Sequence, residues 1–378
     1  MPRFSVPSSL RSWVEIDTEA LRKNLAVVQR QVGDGVGILA VVKANAYGHG
    51  AKNVVRALAD GVSVFGVANL CEAIEVGSIP GVRDVMILSP CLPGEHSEAV
   101  ERGFIVTVSS AAEVASFARR GRLRVNFKVD TAMGRAGVWW ESAEDELRAT
   151  LKIPQVEVHS ISTHLPASDE DTSFTRSQLE GFRGLAERLR SLSPGAAIHS
   201  LNSAGILQFP EFSESIVRAG LILYGVSPAP EFQGSLQFAL AWKTRLALVR
   251  DLPRGASVSY GRTFVAKDAI RVGLLPIGYA DGLPRAISGR GAEVLVRGKR
   301  CPIIGRVTMD QVVVDLSRAN DAIAGDEVVV IGRQGAEEIT ATELARLAGT
   351  IPWEIFTGIQ DRVARVYPTK AAAPDLLT

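Results

Sequence analysis

Between residues 37 and 225 the chain alternates, eight times over, a short β-rich run with a stretch of helical periodicity. Few folds accept that pattern. The runs are GILAVVK (37–43), VSVFGVA (62–68), VRDVMILS (82–89), FIVTVS (104–109), RVNFKVD (124–130), VEVHSISTH (156–164), AIHSLNS (197–203) and SIVRAGLILYG (215–225). Most are nearly continuous apolar runs, as strands covered on both faces are. Between them lie segments such as KNVVRALADG and SQLEGFRGLAERLRSL; the second lines up Leu179, Phe182, Leu185 and Leu189 on one face. An earlier helix, TEALRKNLAVVQRQV, starts at Asp17 or Thr18 as cap and aligns Leu21, Leu25, Val28 and Val32. Eight such runs predict an α/β chain with a parallel (β/α)8, TIM-like barrel rather than an open sheet.

After Gly225 and a linker-like SPAPEFQGS (227–235) the pattern changes. TRLALVRDL, AIRVGLLPIG, AEVLVRG, QVVVDL and EVVVIG read as strands joined by Gly and Pro turns, with one helix at TATELARLAG. The expected division is a barrel domain over 1–235, whose N-terminal strand is free to join the β domain, and a mostly β C-terminal domain over 236–378. A length of 378 residues suits a barrel of ordinary size plus a second domain.

Composition narrows the function by exclusion. A net charge of +1 gives no reason to expect a nucleic acid or an acidic membrane as partner. No apolar run approaches the ~18 residues a membrane helix needs, and the opening MPRFSVPSSLRSW has no signal-peptide core. Cys71, Cys91 and Cys301 lie far apart, which argues against a disulfide framework or a metal site. The expectation is a cytoplasmic protein without a metal.

In a barrel, reactive side chains sit where strands give way to loops. Here those ends carry Lys43, Lys128, His164, Ser203 and Arg218, a set rich in cations and suited to an anionic ligand. Lys43, at the end of an apolar run, either snorkels to water or is an amine kept for chemistry. Tyr47, Gly48 and Gly50 are expected to open the next helix, a good place for phosphate. NSAG (202–205) and RAGLILYG (218–225) add the Ser203 hydroxyl and glycine backbone amides. A reactive lysine facing a phosphate cradle points to pyridoxal phosphate.

These stretches taken together resemble the alanine racemase family. AVVKANAYGHG (40–50), KVDTAMGRAG (128–137), STHL (162–165), NSAG, VRAGLILYG (217–225), SYGRTF (259–264), PIGYADG (276–282) and GRVTMDQ (305–311) occur in the family's order, from SWVEIDTEALRKNL (12–25) to DRVARVY (361–367). The resemblance implies a pyridoxal phosphate enzyme that interconverts L- and D-alanine for peptidoglycan. By it, Lys43 carries the cofactor and is one base; Tyr260 is the second, on the opposite face of Cα. Tyr47, Arg135, His164, Asn202, Ser203, Arg218, Gly220, Leu221 and Trp353 would bind the cofactor. Arg135, Met309 and Tyr279 would meet the substrate, Met309 through its backbone amide, and Asp169, Arg285 and Arg306 would line an access corridor. Lys128 would be carbamylated to orient Arg135, an unmodified lysine paired with Asp130 being the other reading. Because the family's β-domain residues act on the other subunit, Tyr260, Tyr279 and Met309 imply a head-to-tail homodimer with shared sites.

Arg218 separates racemase from decarboxylase. A guanidinium donates hydrogen bonds without giving up its proton, so opposite the pyridine nitrogen it leaves that nitrogen unprotonated and weakens the electron sink. Decarboxylases of similar architecture place a carboxylate there. A non-catalytic cofactor-binding barrel is disfavoured by the complete second domain. Two departures from the family pattern stand out. Ala132 replaces a glycine in DTAMGR and is expected to strain the loop if that position needs positive φ. Trp353 in TIPWEIF (350–356) replaces a tyrosine and keeps a broader or serine specificity open. RVAR for RVPR (362–365) reads as peripheral.

Overall fold

The computed structural model describes residues 9–368. They divide into two compact units, Glu19–Ala46 with Gly50–Gln237, and the remainder, in which Tyr47–His49 and the N-terminal strand join the chain from Phe238 onward.

The first unit is the barrel. Its strands are β1 (Gly37–Val41), β2 (Val64–Val67), β3 (Val85–Ile87), β4 (Ile105–Val108), β5 (Leu123–Asp130), β6 (Val156–Ser162), β7 (Ala197–His199) and β8 (Ile216–Ala219). Each pairs in parallel with the next in sequence from β1 to β7, and β8 pairs with β1. The ring closes between β7 and β8 through Ser215 N–H to Ile198 O (3.1 Å) and Arg218 N–H to Leu201 O (2.9 Å). β1 to β4 are buried almost throughout, as strands packed inside and covered by helices outside must be. A two-residue strand, Val138–Trp139, pairs in parallel alongside the last two residues of β5.

The helical stripes bury as their spacing predicts, except that Val32 at the end of the first is only half-buried. Leu21, Leu25 and Val28 are inside, as are Leu179, Phe182, Leu185 and Leu189 in the helix Thr172–Leu192. The first stripe also contains Asn24, fully buried. Its amide donates to Leu223 O (3.0 Å) and Gln237 O (2.8 Å) and accepts from Gln237 N–H (2.8 Å), tying the start of the barrel chain to its end.

The second unit is a ten-stranded sheet. Ser12–Ile16 lies in it between Leu240–Arg245, antiparallel, and Ala364–Val366, parallel. The helix expected at TATELARLAG is Ala341–Ala348, capped by Thr340. No described helix is long and apolar enough to cross a membrane.

Candidate active site

Several strands are shorter than the apolar runs that encode them. The run 37–43 gives a strand ending at Val41, and 197–203 one ending at His199. The residues left over leave the ladder and build the barrel mouth.

Lys43 opens a turn that sequence does not announce. Ala44, Asn45, Ala46 and Tyr47 all have φ of 52–53°, one turn of left-handed helix made without glycine. L-residues resist this conformation, and contacts hold it. Ala44 N–H donates to Glu72 Oε1 (2.8 Å), whose other oxygen accepts from Ala68 N–H (2.7 Å) at the end of β2. Asn45 Oδ1 accepts from Ala51 N–H (2.7 Å) and so caps the helix Ala51–Leu58. Helix opening therefore falls to Asn45 and Gly50; Tyr47 lies in the left-handed turn, contrary to expectation. Lys43 is open to solvent on one side, yet the surrounding protein and then Arg135 push its amine below the ordinary lysine value, against an opposing pull from Glu72.

At the centre is Arg218, buried on β8. Its Nη1 donates to His199 O (3.0 Å) and His199 Nδ1 (2.8 Å); its Nη2 donates to Ser200 O (2.7 Å), Thr163 O (2.8 Å) and His164 Nδ1 (3.3 Å). Burial, then Arg135, lowers its pKa to about 10. Both imidazoles accept a hydrogen bond at Nδ1 from a guanidinium, so both are neutral and carry hydrogen on Nε2. Burial and then Arg218 push His164 down to about 2 and His199 well below its usual range.

Lys128, on β5, is buried, and its pKa falls to about 8 through burial, then Arg218 and Arg135. The charge of Asp130 pulls the other way, but its oxygens are engaged elsewhere. Asp130 Oδ1 instead accepts from the backbone N–H groups of Ala132, Met133 and Gly134, and Oδ2 from that of Arg135. Burial raises the Asp130 carboxyl and these four amides bring it below its usual range. The loop presenting Arg135, whose side chain is exposed, is wound on that carboxylate. Ala132 is not at positive φ; the loop's left-handed positions are Gly134 and Gly137. The expected strain at Ala132 is absent.

Ser203, at the start of the short helix Ser203–Gln208 capped by Asn202, accepts from Gly220 N–H (3.0 Å) and Ile222 N–H (3.4 Å). With Leu221 between them, three consecutive amides and one hydroxyl gather where β8 turns into the 3-10 helix Leu221–Tyr224. Barrel-unit residues thus combine a solvent-accessible amine of lowered pKa, a buried amine, a buried guanidinium and a set of anion donors.

The other predicted residues belong to the sheet unit. Tyr260 is 72% exposed, Met309 54% and Tyr279 42%. Tyr279 N–H donates to Thr308 O and Ala280 N–H to Met309 O, both at 3.0 Å, so the two segments lie side by side. Arg362 binds Asp281 through both carboxylate oxygens (2.7 and 2.9 Å) and Asp310 (2.8 Å). Trp353 is half-buried in the helix Pro352–Thr357. Of the corridor set, Arg285 and Arg306 are in this unit and Asp169 in the barrel unit.

Residues 16–228 match the alanine racemase N-terminal domain and residues 239–367 the alanine racemase C-terminal domain. The chain belongs to the alanine racemase family. It is 40% identical to an alanine racemase of Symbiobacterium thermophilum over 371 residues, covering 96% of this chain and 98% of that one. It is 38% identical to that of Methylacidiphilum infernorum, covering 97% and 95%. The solved alanine racemase of Streptomyces coelicolor superposes with a TM-score of 0.86 at 34% identity over 96% and 99% of the chains. That of Bacillus anthracis, solved with bound L-Ala-P, gives 0.86 at 34% over 95% of each. Alanine racemases are isomerases, and the barrel followed by a mostly β domain is their fold.

Three features of this family member escaped the sequence. His199 reads as a strand residue, yet it engages Nη1 of Arg218 while His164 engages Nη2. Glu72, the third residue of the helix Leu70–Gly77, reads as a capping-box acid and also braces the Lys43 turn; Asn69-x-x-Glu72 was the available signal. The third is the pair of arginines that flank Ala364: Arg362 joins two aspartates, and Arg365 donates to Gly48 O, Ile359 O, Gln360 O and Val363 O.

Proposed function

We propose that this protein interconverts L- and D-alanine with pyridoxal phosphate held on Lys43, Lys43 and Tyr260 moving protons on opposite faces of Cα. The observation that carries this reading is the group of Lys43, Lys128, Arg135 and Arg218 with the two neutral histidines in one barrel mouth. The donor set suits the cofactor: a Lys43 amine of lowered pKa to meet its aldehyde, the Ser203 hydroxyl with the amides of Gly220, Leu221 and Ile222 for its phosphate, and a guanidinium for its ring nitrogen. Tyr47, Asn202, His164 and Trp353 complete the proposed cofactor contacts. Pyridoxal phosphate, when bound, supplies the electron sink that lets Cα release its proton.

The chain's own residues do the rest. Lys43, its pKa lowered by burial and by Arg135, offers a neutral amine to take a proton at Nζ. Arg218, fixed by three carbonyls and two imidazoles, donates without surrendering a proton, which favours return of the proton to Cα over competing outcomes. Arg135 and the Met309 amide orient the substrate carboxylate, and Tyr279 limits the size of the entrance. Lys128, with a pKa near 8, keeps enough neutral amine to react with carbon dioxide; the resulting carbamate would turn toward Arg135. Tyr260, Tyr279 and Met309 are assigned to the barrel of a second copy, which makes the working form a head-to-tail homodimer. D-alanine made in the cytoplasm would feed peptidoglycan synthesis.

Trp353 favours a second reading, a racemase that also accepts serine, because an indole there reshapes the pocket. Chiral chromatography of L-alanine and L-serine incubated with protein and cofactor in deuterated water tests both. D-alanine deuterated at Cα, absent with Lys43→Ala, is the expected result. Exchange without inversion would remove Tyr260 from its role. D-serine forming as fast as D-alanine would establish the broader enzyme. No exchange in either lane would sink the racemase reading and leave a carrier.

A further inference from the structure

Ser259 holds a backbone conformation that belongs to glycine. Its φ of 65° and ψ of −176° fall in a region nearly empty of residues with a Cβ, and such outliers persist only where surrounding contacts enforce them. The contacts here fall on the two residues that flank Tyr260, Ser259 and Gly261. The strand before it, Ser257–Val258, and the one after, Phe264–Val265, form a ribbon of two pairs, too short to fix its own tip. At that tip Gly261 and Arg262 also have positive φ, 73° and 48°.

What braces the tip is the loop after Lys299–Ile304. Ser259 Oγ donates to Arg306 O at 2.6 Å. Gly305, at φ 70°, leaves the room this approach needs: a Cβ there would lie 2.7 Å from Val258 O and 2.9 Å from Ser259 Cβ. On the far side of Tyr260 the Arg306 guanidinium lies against Gly261, where a Cβ would come within 2.8 Å of Nη1. Tyr260 is thus held between a hydroxyl anchor before it and a guanidinium behind it, while its own side chain is 72% exposed. Glycine at 259 would reach the conformation more easily and alanine would not, but neither could make the bond.

We propose that Ser259 is a positioning residue for Tyr260, its hydroxyl bond to the Arg306 carbonyl fixing the direction in which the phenol leaves the turn. The proposal rests on the reading of Tyr260 as a proton carrier. The hydroxyl touches no reacting atom; it acts by keeping the phenol from swinging with the ribbon tip, and misplacement by about 1 Å is enough to cost a proton transfer much of its rate.

Ser259→Gly and Ser259→Ala test it in the cofactor-loaded protein. Ser259→Gly is expected to melt no lower than wild type, because glycine relieves the strained backbone, and to turn over on the order of tenfold more slowly. The α-deuterium isotope effect should rise only for the alanine enantiomer whose Cα–H faces Tyr260. Ser259→Ala should show the same kinetic change with a lower melting point. Wild-type turnover and isotope effects in Ser259→Gly would overturn the proposal, as would a loss with both isotope effects unchanged, which marks a merely structural role. A crystal structure of Ser259→Gly separates this from the reaction itself. A displaced turn supports the brace even if wild type leaves alanine untouched, and an unmoved turn overturns the brace even if wild type racemises it.

Discussion

Asp130 shows how one carboxylate shapes the cationic mouth without neutralising it. Sequence places it two residues after Lys128 on the same strand face, so an ion pair was a reasonable reading. The structure spends both its oxygens on four loop amides instead, and the lysine is left among cations. A buried acceptor serving several N–H groups is costly to remove, because the donors lose a charged partner and keep their desolvation. Asp130→Ala is therefore expected to lower the unfolding free energy by about 2–3 kcal/mol, measured by urea denaturation. It should also loosen the 131–135 loop, visible as faster amide exchange there. An unchanged urea midpoint would mean the loop is held by other contacts. The residue types at the mouth were legible in the chain, since Lys43, Lys128, His164, Ser203 and Arg218 all end or follow apolar runs. Their pairing was not: strand alternation tells which residues share a face, while the choice between an amide and an ammonium as partner depends on how the following loop folds back.

At the scale of elements, periodicity located every barrel strand and overshot the ends of all but β5. A run of Val, Ile and Leu reports burial, and burial continues past the last ladder bond into turns that are equally covered. The turn after β1 is the sharpest case. KANAY contains no glycine, and alanine favours right-handed helix, so local preference points away from what forms. Tertiary contacts, chiefly Glu72 and the Asn45 cap, decide the handedness. Each L-residue held there costs roughly 1–2 kcal/mol relative to a relaxed backbone, and a glycine would recover most of it, less the extra chain entropy it loses on folding. Ala44 is exposed, so its methyl can go without loss of packing. Ala44→Gly should stabilise the protein by about 0.5–1 kcal/mol, a rise of a degree or more in a thermal melt. Ala46, by contrast, is fully buried, and Ala46→Gly should gain nothing because the lost packing offsets the relaxed backbone. If Ala44→Gly melts lower than wild type, the turn is not strained.

Over the whole molecule, the chain closes a ring of eight short strands and concentrates Lys43, Lys128, Arg135 and Arg218 at one end, where His164 and His199 resist adding a fifth charge. This has a consequence for acid stability. In the folded protein His164 titrates only near 2, and His199 is likewise held well below 6.5 by burial and Arg218. In the unfolded chain both titrate near ~6.5. Below that value the unfolded state takes up protons that the folded state refuses, so ν in the unfolded state exceeds ν in the native state and stability falls as pH falls. Above it neither state binds these protons and the contribution is flat. The slope approaches about 1.4 kcal/mol per pH unit for each histidine once pH is a unit below the unfolded value. Replacing His199 with Gln removes one of the two refused protons. The unfolding free energy of His199→Gln, followed by urea melts between pH 7 and pH 5, should therefore decline less steeply than that of wild type by up to one proton's slope, whatever the substitution costs at pH 7. Parallel curves would show that His199 accepts a proton in the folded barrel, and with it that the Arg218 guanidinium is not donating to Nδ1 as its 2.8 Å contact indicates.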